Sequence, residues 1–304
     1  MKYILKVTDE NDEGLRLDLF LTKSSNSCSR SHYQKMIKNK EVLVNNAFQK
    51  TSYVLKLGDE IIVDEKEKNI EILPENIPIE VLYEDENMAV INKPSGMITH
   101  PTEQETEHTL VNALLYKFSD NLSDLNGVFR RGIVHRLDRN TSGLLMIAKN
   151  NKTHEYLAEK IKNREIEKRY LAIAKGVFEK DEGVIDFPIG RNKKNPQKMA
   201  IAEDGKPSLT EYKVLERFSD CTYLELNLKT GRTHQIRVHL SSINHPILND
   251  TMYGAGVYKV KTQEQVLQSY YLKFAKPFSD DIIEIKIEPD EKIKKVLNYL
   301  SSRK

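Results

Sequence analysis

A charged stretch punctuated by prolines divides the 304-residue chain into two unequal parts. It runs from Glu65 to Pro78, and Pro74 and Pro78 argue against a continuous helix or a central strand there. A chain of this length also exceeds one typical domain. We therefore expect a small domain over residues 1–66, a linker over 67–78 and a larger domain over 79–304.

The composition is that of a soluble globular protein, with 39% apolar and 30% charged residues. The net charge is only +2, so any basic surface must come from local segregation of charge. Only two cysteines occur, Cys28 and Cys221, which favours a reducing compartment and predicts a cytoplasmic protein. No apolar run approaches the ~20 residues of a membrane span, and charge comes too early for a signal peptide. We expect no membrane association.

The small part carries a basic stripe, because no acidic residue occurs from Leu19 to Lys40. A helix is predicted over 32–38, capped by Ser29 or Ser31, with Met36 and Ile37 facing inward. A strand at 42–44, a tight turn at 45–46, a second turn at 57–60 and a strand at 61–63 follow. Taken alone, such a helix is more often a solvated face than a binding surface. The cations of the stripe are Lys23, Arg30, Lys35, Lys38 and Lys40.

The larger part alternates short strands and helices without a regular βαβ rhythm. A hairpin is predicted over 80–94, helices near 109–116 and 154–163, and a strand and terminal helix after 280. Further strands are expected at 144–148, 170–174, 211–215 and 223–228. This pattern favours an α+β fold over a doubly wound one.

The most unusual segment, Gly132–Lys149, places Asp138 between two arginines. Strands are predicted at 133–134 and 144–148, so this carboxylate lies on a loop held at both ends. It could be a nucleophile, a base, an electrostatic stabiliser or half of a structural ion pair. His135 and Asp138 alone do not make a metal site, and Ser142 lacks the Gly-x-Ser-x-Gly elbow of a hydrolase.

A second cluster lies at 229–240, where Thr233 is predicted to cap a short helix. No acid occurs between Glu225 and Asp250, so the cations there need a phosphate or a carboxylate from elsewhere in the fold. These side chains are Arg232, His234, Arg237 and His239. Tyr170, at the start of an apolar run, would by default be a core residue. A further acid-free basic loop contains Arg191, Lys193, Lys194 and Lys198.

Two known families resemble these segments. Residues 14–21, the basic helix and the turns at 45–46 and 57–60 resemble the S-four-type (alpha-L) RNA-binding domain. Residues 135–145 and 231–239 resemble the two signatures of the RluA/RluD-type pseudouridine synthases. Supporting segments follow in the family's order at 92–96, 100–101, 169–170, 245–247 and 250–254. Arg139-Asn140 departs from the lysine and acidic residue of many members, outside the reacting carboxylate.

The resemblance implies an α+β catalytic domain with a mixed, largely antiparallel sheet and flanking helices. It implies isomerisation of uridine in RNA to pseudouridine, without a cofactor or a metal. Asp138 would be the catalytic carboxylate, Arg237 its ion-pair partner, and Tyr170 the residue that stacks on the uracil and helps remove the carbon 5 proton. The remaining substrate contacts implied are Arg136, which fills the gap left by the flipped base, Ile236, which lines the base pocket, and His135, Arg232 and His234.

RNA is the partner that the resemblance implies. Arg30, Lys35 and Lys38 of the small domain, with Arg191, Lys193 and Lys194, would hold its backbone. The expected substrate is ribosomal RNA of the large subunit or a pre-ribosomal particle, bound by a monomer. Two alternatives stay open: a synthase that acts on transfer RNA, and a non-catalytic RNA-binding or ribosome-assembly protein.

Overall fold

The computed structural model describes residues 2–24, 30–64, 71–102, 104–119, 121–254, 256–260, 262 and 264–303. The chain separates into two compact units, Met1–Ile70 and Glu71–Lys304. Part of the predicted linker, residues 67–70, lies outside the described residues, whereas 71–79 has no helix or strand. In the described part, no helix has the length and apolar character needed to cross a membrane.

The first unit folds as two helices beside a small antiparallel sheet with strand order β1-β4-β2-β3. Positive φ angles at Asn45 (48°) and Asn46 (59°) form the predicted tight turn. The elements are β1 (Lys2–Lys6), a 3-10 turn (Glu10–Asp12), α1 (Leu17–Ser24), α2 (Arg30–Lys38), β2 (Val42–Val44), β3 (Ala47–Phe48) and β4 (Glu60–Asp64).

The predicted basic helix is confirmed as α2, which buries Tyr33, Met36 and Ile37 against the core of this unit. Its capping differs from the prediction. Ser31 lies inside the helix rather than before it, because the helix already includes Arg30, and Ser29 lies outside the described residues.

The second unit contains the remaining elements. They are β5 (Glu80–Glu84), β6 (Met88–Lys93), α3 (Leu110–Phe118), a 3-10 turn (Val128–Arg130), β7 (Ser142–Ala148), α4 (Asn151–Lys162), β8 (Glu167–Lys175), β9 (Glu182–Asp186), β10 (Ile189–Arg191), β11 (Met199–Ile201), β12 (Leu209–Arg217), β13 (Cys221–Leu228), α5 (Gln235–Ser242), β14 (Leu267–Ala275), β15 (Ile282–Lys286) and α6 (Glu291–Ser301). The predicted strands and helices from 80 onward are therefore confirmed, with bounds that shift by a few residues, except the strand predicted at 133–134.

The described strands of this unit form one mixed sheet in the order β5-β6-β7-β14-β8-β13-β12-β9, with β10 and β11 as a separate hairpin. All neighbours in this sheet are antiparallel except β7 and β14. Strand β14 pairs with β8 along one edge, and with β7 and then β15 along the other. The fold class is the expected α+β, with a largely antiparallel sheet.

The close parallel approach of β7 to β14 requires glycine at position 143. Gly143 has φ of +111°, and a Cβ there would lie 1.9 Å from the carbonyl oxygen of Ser269. Since Asp138 precedes this crossing by only five residues, the glycine fixes where the loop of Asp138 enters the sheet.

One predicted strand is wrong. Ile133 makes a single bridge to Ile147, and Val134 belongs to no strand. The segment leaves β7 at once because Gly132 turns with φ of +71°. The backbone N–H of Met146 on β7 then donates to the His135 side chain instead of to a strand carbonyl. An imidazole thus replaces a strand at this edge.

Candidate active site

The loop that carries Asp138 is fastened through its backbone carbonyl groups. The backbone carbonyl groups of residues 137, 139 and 140 each accept at least one hydrogen bond from a side chain. These bonds fix the path of the loop before any substrate binds. The bonds join Leu137 to Thr99 (2.7 Å), Arg139 to Lys93 (3.0 Å), and Asn140 to Ser95 (2.9 Å) and Lys292 (3.0 Å).

Lys93 is the most buried of these supports. Its side chain is fully enclosed, and its Nζ donates to the carbonyls of Pro94 (2.9 Å), Met97 (2.8 Å) and Arg139 (3.0 Å). Burial lowers the pKa of Lys93 to about 7, and the nearby charge of Lys292 acts in the same direction. The ammonium is held by carbonyl dipoles rather than by a carboxylate.

Asp138 forms an ion pair with Arg237 across 99 residues of sequence. The Arg237 Nη1 lies 3.1 Å from Asp138 Oδ2, and the other two nitrogens bind both oxygens of Asp250 at 2.7 and 3.0 Å. Burial acts to lower the pKa of Arg237, but the hydrogen bonds and charges of Asp250 and Asp138 outweigh it and raise that pKa above its ordinary value. The guanidinium is therefore permanently charged, and Asp250 fixes its orientation.

Arg237 lies in the first turn of α5, which begins at Gln235. The N-cap is His234 in a left-handed conformation (φ 55°, ψ 21°), so the predicted Thr233 cap is wrong. The Gln235 side chain ties this turn to the sheet: it accepts from the Thr230 hydroxyl (2.8 Å) and donates to the Leu209 carbonyl (3.0 Å). A sheet contact, not a local cap, sets where the helix starts.

A cavity of about 250 Å³ opens beside Asp138 and is lined by both signature segments. Tyr170 on β8 lies in its wall and is 6% exposed. It is therefore both a buried residue, as the default interpretation expects, and a residue that lines the cavity. Burial raises the pKa of Tyr170 to about 12, and the charge of Asp138 adds to the effect. The phenol is therefore neutral at physiological pH. Ile236, 3% exposed, lines the same cavity.

His135 lines the cavity but is also a structural residue. Its Nε2 accepts the Met146 backbone N–H at 3.0 Å, so the proton of the neutral ring is on Nδ1. Burial lowers the pKa of His135 to about 3, and the charge of Lys168 contributes. The ring is neutral and held in place.

The other predicted substrate contacts line the same cavity as Asp138. His234 Nε2 lies 3.9 Å from Asp138 Oδ1, and its Nδ1 is 2.7 Å from the Tyr253 hydroxyl. Burial lowers the pKa of His234. Arg136 is exposed, with Nη1 3.4 Å from His100 Nε2, and Arg232 donates through Nε to the carbonyl of Pro207 at 3.2 Å.

The predicted RNA-backbone residues of the first unit lie on α2, where Lys35 and Lys38 are exposed in the last turn. Arg30 is instead partly neutralised, because its guanidinium binds Asp18 at 2.9 Å. Burial acts to raise the pKa of Asp18, but hydrogen bonds from Arg16, Gln34 and Arg30 lower it to about 2.

The predicted basic loop of the second unit connects β10 to β11. Arg191, Lys193 and Lys194 are all exposed there. Arg191 donates to the Pro196 carbonyl at 2.8 Å, and Lys193 lies 4.0 Å from Asp204. Lys194 has an exposed ammonium at the tip, so this loop presents positive charge to solvent.

Sequence reasoning did not anticipate the roles of Asp250 and Lys168. Asp250 is 1% exposed and also accepts the backbone N–H of Met252 (3.1 Å) and Tyr253 (3.2 Å), so it orders its own turn while it holds Arg237. The available signal was the end of the acid-free run at Asp250 itself. Lys168 lines the cavity from β8.

Among the residues that the structure describes, no group of three His, Cys, Asp or Glu side chains could hold a metal ion.

Comparisons with known proteins agree with this fold. A family model described as RNA pseudouridylate synthase matches residues 87–242, and an S4 domain matches residues 15–61. The chain is 38% identical to an uncharacterised RNA pseudouridine synthase, YlyB, of Bacillus subtilis, over 99% of each chain. It is 39% identical to ribosomal large subunit pseudouridine synthase D of Nitrosomonas europaea, over 90% of this chain and 81% of that one.

Solved structures give the same result. Human RNA pseudouridylate synthase domain containing 1 superposes with a TM-score of 0.58 at 25% identity, covering 75% of this chain and 96% of that one. The family match, together with the S4 domain in the same chain, defines an RNA-modifying isomerase. The chain belongs to the RNA pseudouridine synthase family.

Proposed function

We propose that this enzyme converts uridines of large-subunit ribosomal RNA to pseudouridine with Asp138 as the reacting carboxylate. The observation that carries the proposal is the Asp138–Arg237 pair, at 3.1 Å, in the wall of a cavity that also contains Tyr170. Arg237 pairs with Asp138 and aims its carboxylate, and the position of Arg237 is itself fixed by Asp250.

The reaction breaks the bond from N1 of uracil to C1′, rotates the base and forms a bond from carbon 5 to C1′. One proton leaves carbon 5 and one is gained at N1, so the product is an isomer and no electrons are exchanged. Asp138 starts the cleavage, as nucleophile or as base. No redox cofactor is required by this balance.

Tyr170 has two tasks in this proposal. Its ring stacks on the uracil, and its hydroxyl assists removal of the carbon 5 proton after the base has rotated. Its neutral form at physiological pH supports a role as a hydrogen-bonding relay rather than as a phenolate base, because its pKa is raised to about 12. Ile236 and His135 complete the wall around the base.

Access to the base requires that the nucleotide leave its stack, at a cost of a few kcal/mol. We assign Arg136 to the gap that the base leaves, because its guanidinium is exposed beside the cavity. His234 and Arg232, in the second signature segment, then face the RNA near the reacting nucleotide.

The RNA backbone is held by the N-terminal domain, residues 1–66, and by the loop that carries Arg191, Lys193 and Lys194. Several relatives are named ribosomal large subunit pseudouridine synthase D, which supports large-subunit ribosomal RNA or a pre-ribosomal particle as the partner. We also propose a monomer in the cytoplasm: one chain supplies the whole site, and the two-cysteine composition suits a reducing compartment.

The test of the substrate is a map of pseudouridines in total RNA from cells with and without the gene, complemented by the native gene or by the Asp138→Asn variant. We expect one or more large-subunit sites to be lost on deletion and restored only by the native gene. Sites lost in transfer RNA alone, or restoration by Asp138→Asn, would contradict the proposal.

A further inference from the structure

Lys168 is a buried cation that the proposed mechanism leaves without a task. It lies on β8 and is 8% exposed. Over the described ranges of the chain, its ammonium has neither a hydrogen-bond acceptor nor a carboxylate partner. Lys93, the other strongly buried lysine of this unit, differs in that its Nζ binds three carbonyl oxygens. An unpaired buried ammonium destabilises the folded state, so its presence points to a ligand.

The side chain of Lys168 points into the cavity beside Asp138. Lys168 and Tyr170 are two residues apart on one strand, so both face the same side, and both line the cavity. A Cβ built on Gly231 would lie 3.8 Å from the Lys168 Nζ, which places the ammonium beside the second signature segment. Burial lowers the pKa of Lys168 to about 8, so the charged form still predominates at neutral pH.

The neighbouring polar groups of the cavity already have partners. His135 Nε2 accepts from Met146, the Gln235 amide is tied to the sheet, and Arg237 is shared by two carboxylates. Among the described residues that line the cavity, Lys168 is therefore a buried donor for which no acceptor is shown. A uracil base that enters the cavity brings two carbonyl oxygens, and these oxygens gain negative charge when the glycosidic bond breaks.

We propose that Lys168 donates a hydrogen bond to a carbonyl oxygen of the uracil and stabilises the negative charge on the detached base. The inference rests on the proposed isomerase function. When the N1–C1′ bond breaks, its electron pair passes to the base and is delocalised over N1 and the carbonyl oxygens. Lys168 keeps its proton throughout, and the charge is lost again as carbon 5 bonds to C1′ and N1 is protonated.

The experiment compares single-turnover rates of the native enzyme, Lys168→Met and Lys168→Gln on a uridine-containing RNA. We expect Lys168→Met to be slower by about 100-fold, with RNA affinity unchanged and a melting temperature no lower than native, because an unpaired charge has been removed. Lys175→Met, at the exposed end of the same strand, is the matched control and should turn over at the native rate.

A second arm replaces a carbonyl oxygen by sulfur, a weaker acceptor, at position 2 or 4 of the target uracil. If Lys168 binds one of these oxygens, that substitution slows the native enzyme more than it slows the lysine variants. Three results would overturn the inference. Both lysine variants could turn over at the native rate, or both could melt at a lower temperature than the native enzyme. Sulfur at either position could also slow the native enzyme and the lysine variants by the same factor. Failure of the proposed function can be told apart from failure of this inference, because the native enzyme would then isomerise no uridine.

Discussion

At the scale of single residues, Arg237 divides three guanidinium nitrogens between two carboxylates, and the proposed mechanism depends on this division. Asp250 takes two nitrogens in a bidentate bond, which leaves Nη1 for Asp138. Of the two carboxylates, Asp250 is 1% exposed as a side chain and Asp138 is 17% exposed. The buried carboxylate therefore orients the cation, and the more accessible one is left free to meet substrate.

Tyr170→Phe tests the role of the hydroxyl at this scale. We expect the variant to lose nearly all pseudouridine formation, while stability and RNA affinity change little, because the ring and its packing remain. Tritium release from carbon 5 and a binding titration measure the two effects separately. Turnover at the native rate would mean that Tyr170 only stacks on the base.

His135→Gln tests the buried imidazole. The folded-state pKa of His135 is about 3, below its unfolded value, so its contribution to stability is complete above pH ~6.5 and is lost as pH falls toward 3. Glutamine can accept the Met146 N–H but does not titrate. We measure the free energy of unfolding of the native protein and the variant from pH 7 to 4. We expect its slope against pH to be smaller in the variant by up to about 1.4 kcal/mol per pH unit. An unchanged slope would contradict the buried neutral ring.

At the scale of elements, the terminal helix α6 supports the loop of Asp138 although it is remote in sequence. Lys292, in its first turn, donates to the Asn140 carbonyl (3.0 Å) and the Ser95 hydroxyl (3.0 Å). Asp290, the N-cap, accepts from the Ser142 hydroxyl at 2.5 Å. The start of this helix thus holds both ends of the turn from 140 to 142.

Lys292→Met tests this support. We expect isomerisation to slow by up to about 100-fold through misplacement of Asp138, with RNA affinity retained. Lys294→Met, exposed on the same helix, is the control and should behave as native. Equal rates for the two variants would show that α6 does not position the loop.

The sequence predicts those elements whose pattern is local. The hairpins at 42–48 and 80–93, and helix α3 after Thr109, follow from turn residues and apolar periodicity within a short window. Strand β1 was not predicted, because its pairing with β4 lies almost 60 residues away. The Asp138–Arg237 contact followed from family resemblance, whereas spacing alone left phosphate and carboxylate partners open.

At the scale of the whole molecule, each unit has a hydrophobic core of its own. We expect removal of residues 1–70 to leave a folded catalytic unit with activity on a short RNA, but with weaker binding. Fewer phosphate contacts should also reduce the slope of log Kd against log salt concentration. An unchanged slope in titrations at several salt concentrations would show that the basic face of α2 does not contact RNA.

The central claim is that Asp138 performs the chemistry, and Asp138→Asn tests it most directly. The amide is nearly isosteric, so packing should survive, but it is neither nucleophile nor base and cannot pair ionically with Arg237. Tritium release from carbon 5 of labelled uridine in RNA is measured beside a binding titration and a melting curve. We predict no measurable release, a native-like melting temperature, and RNA affinity equal to native or slightly higher, since a repulsive charge is removed. Release near the native rate would contradict the account, and joint loss of folding and binding would show that the pair with Arg237 is structural.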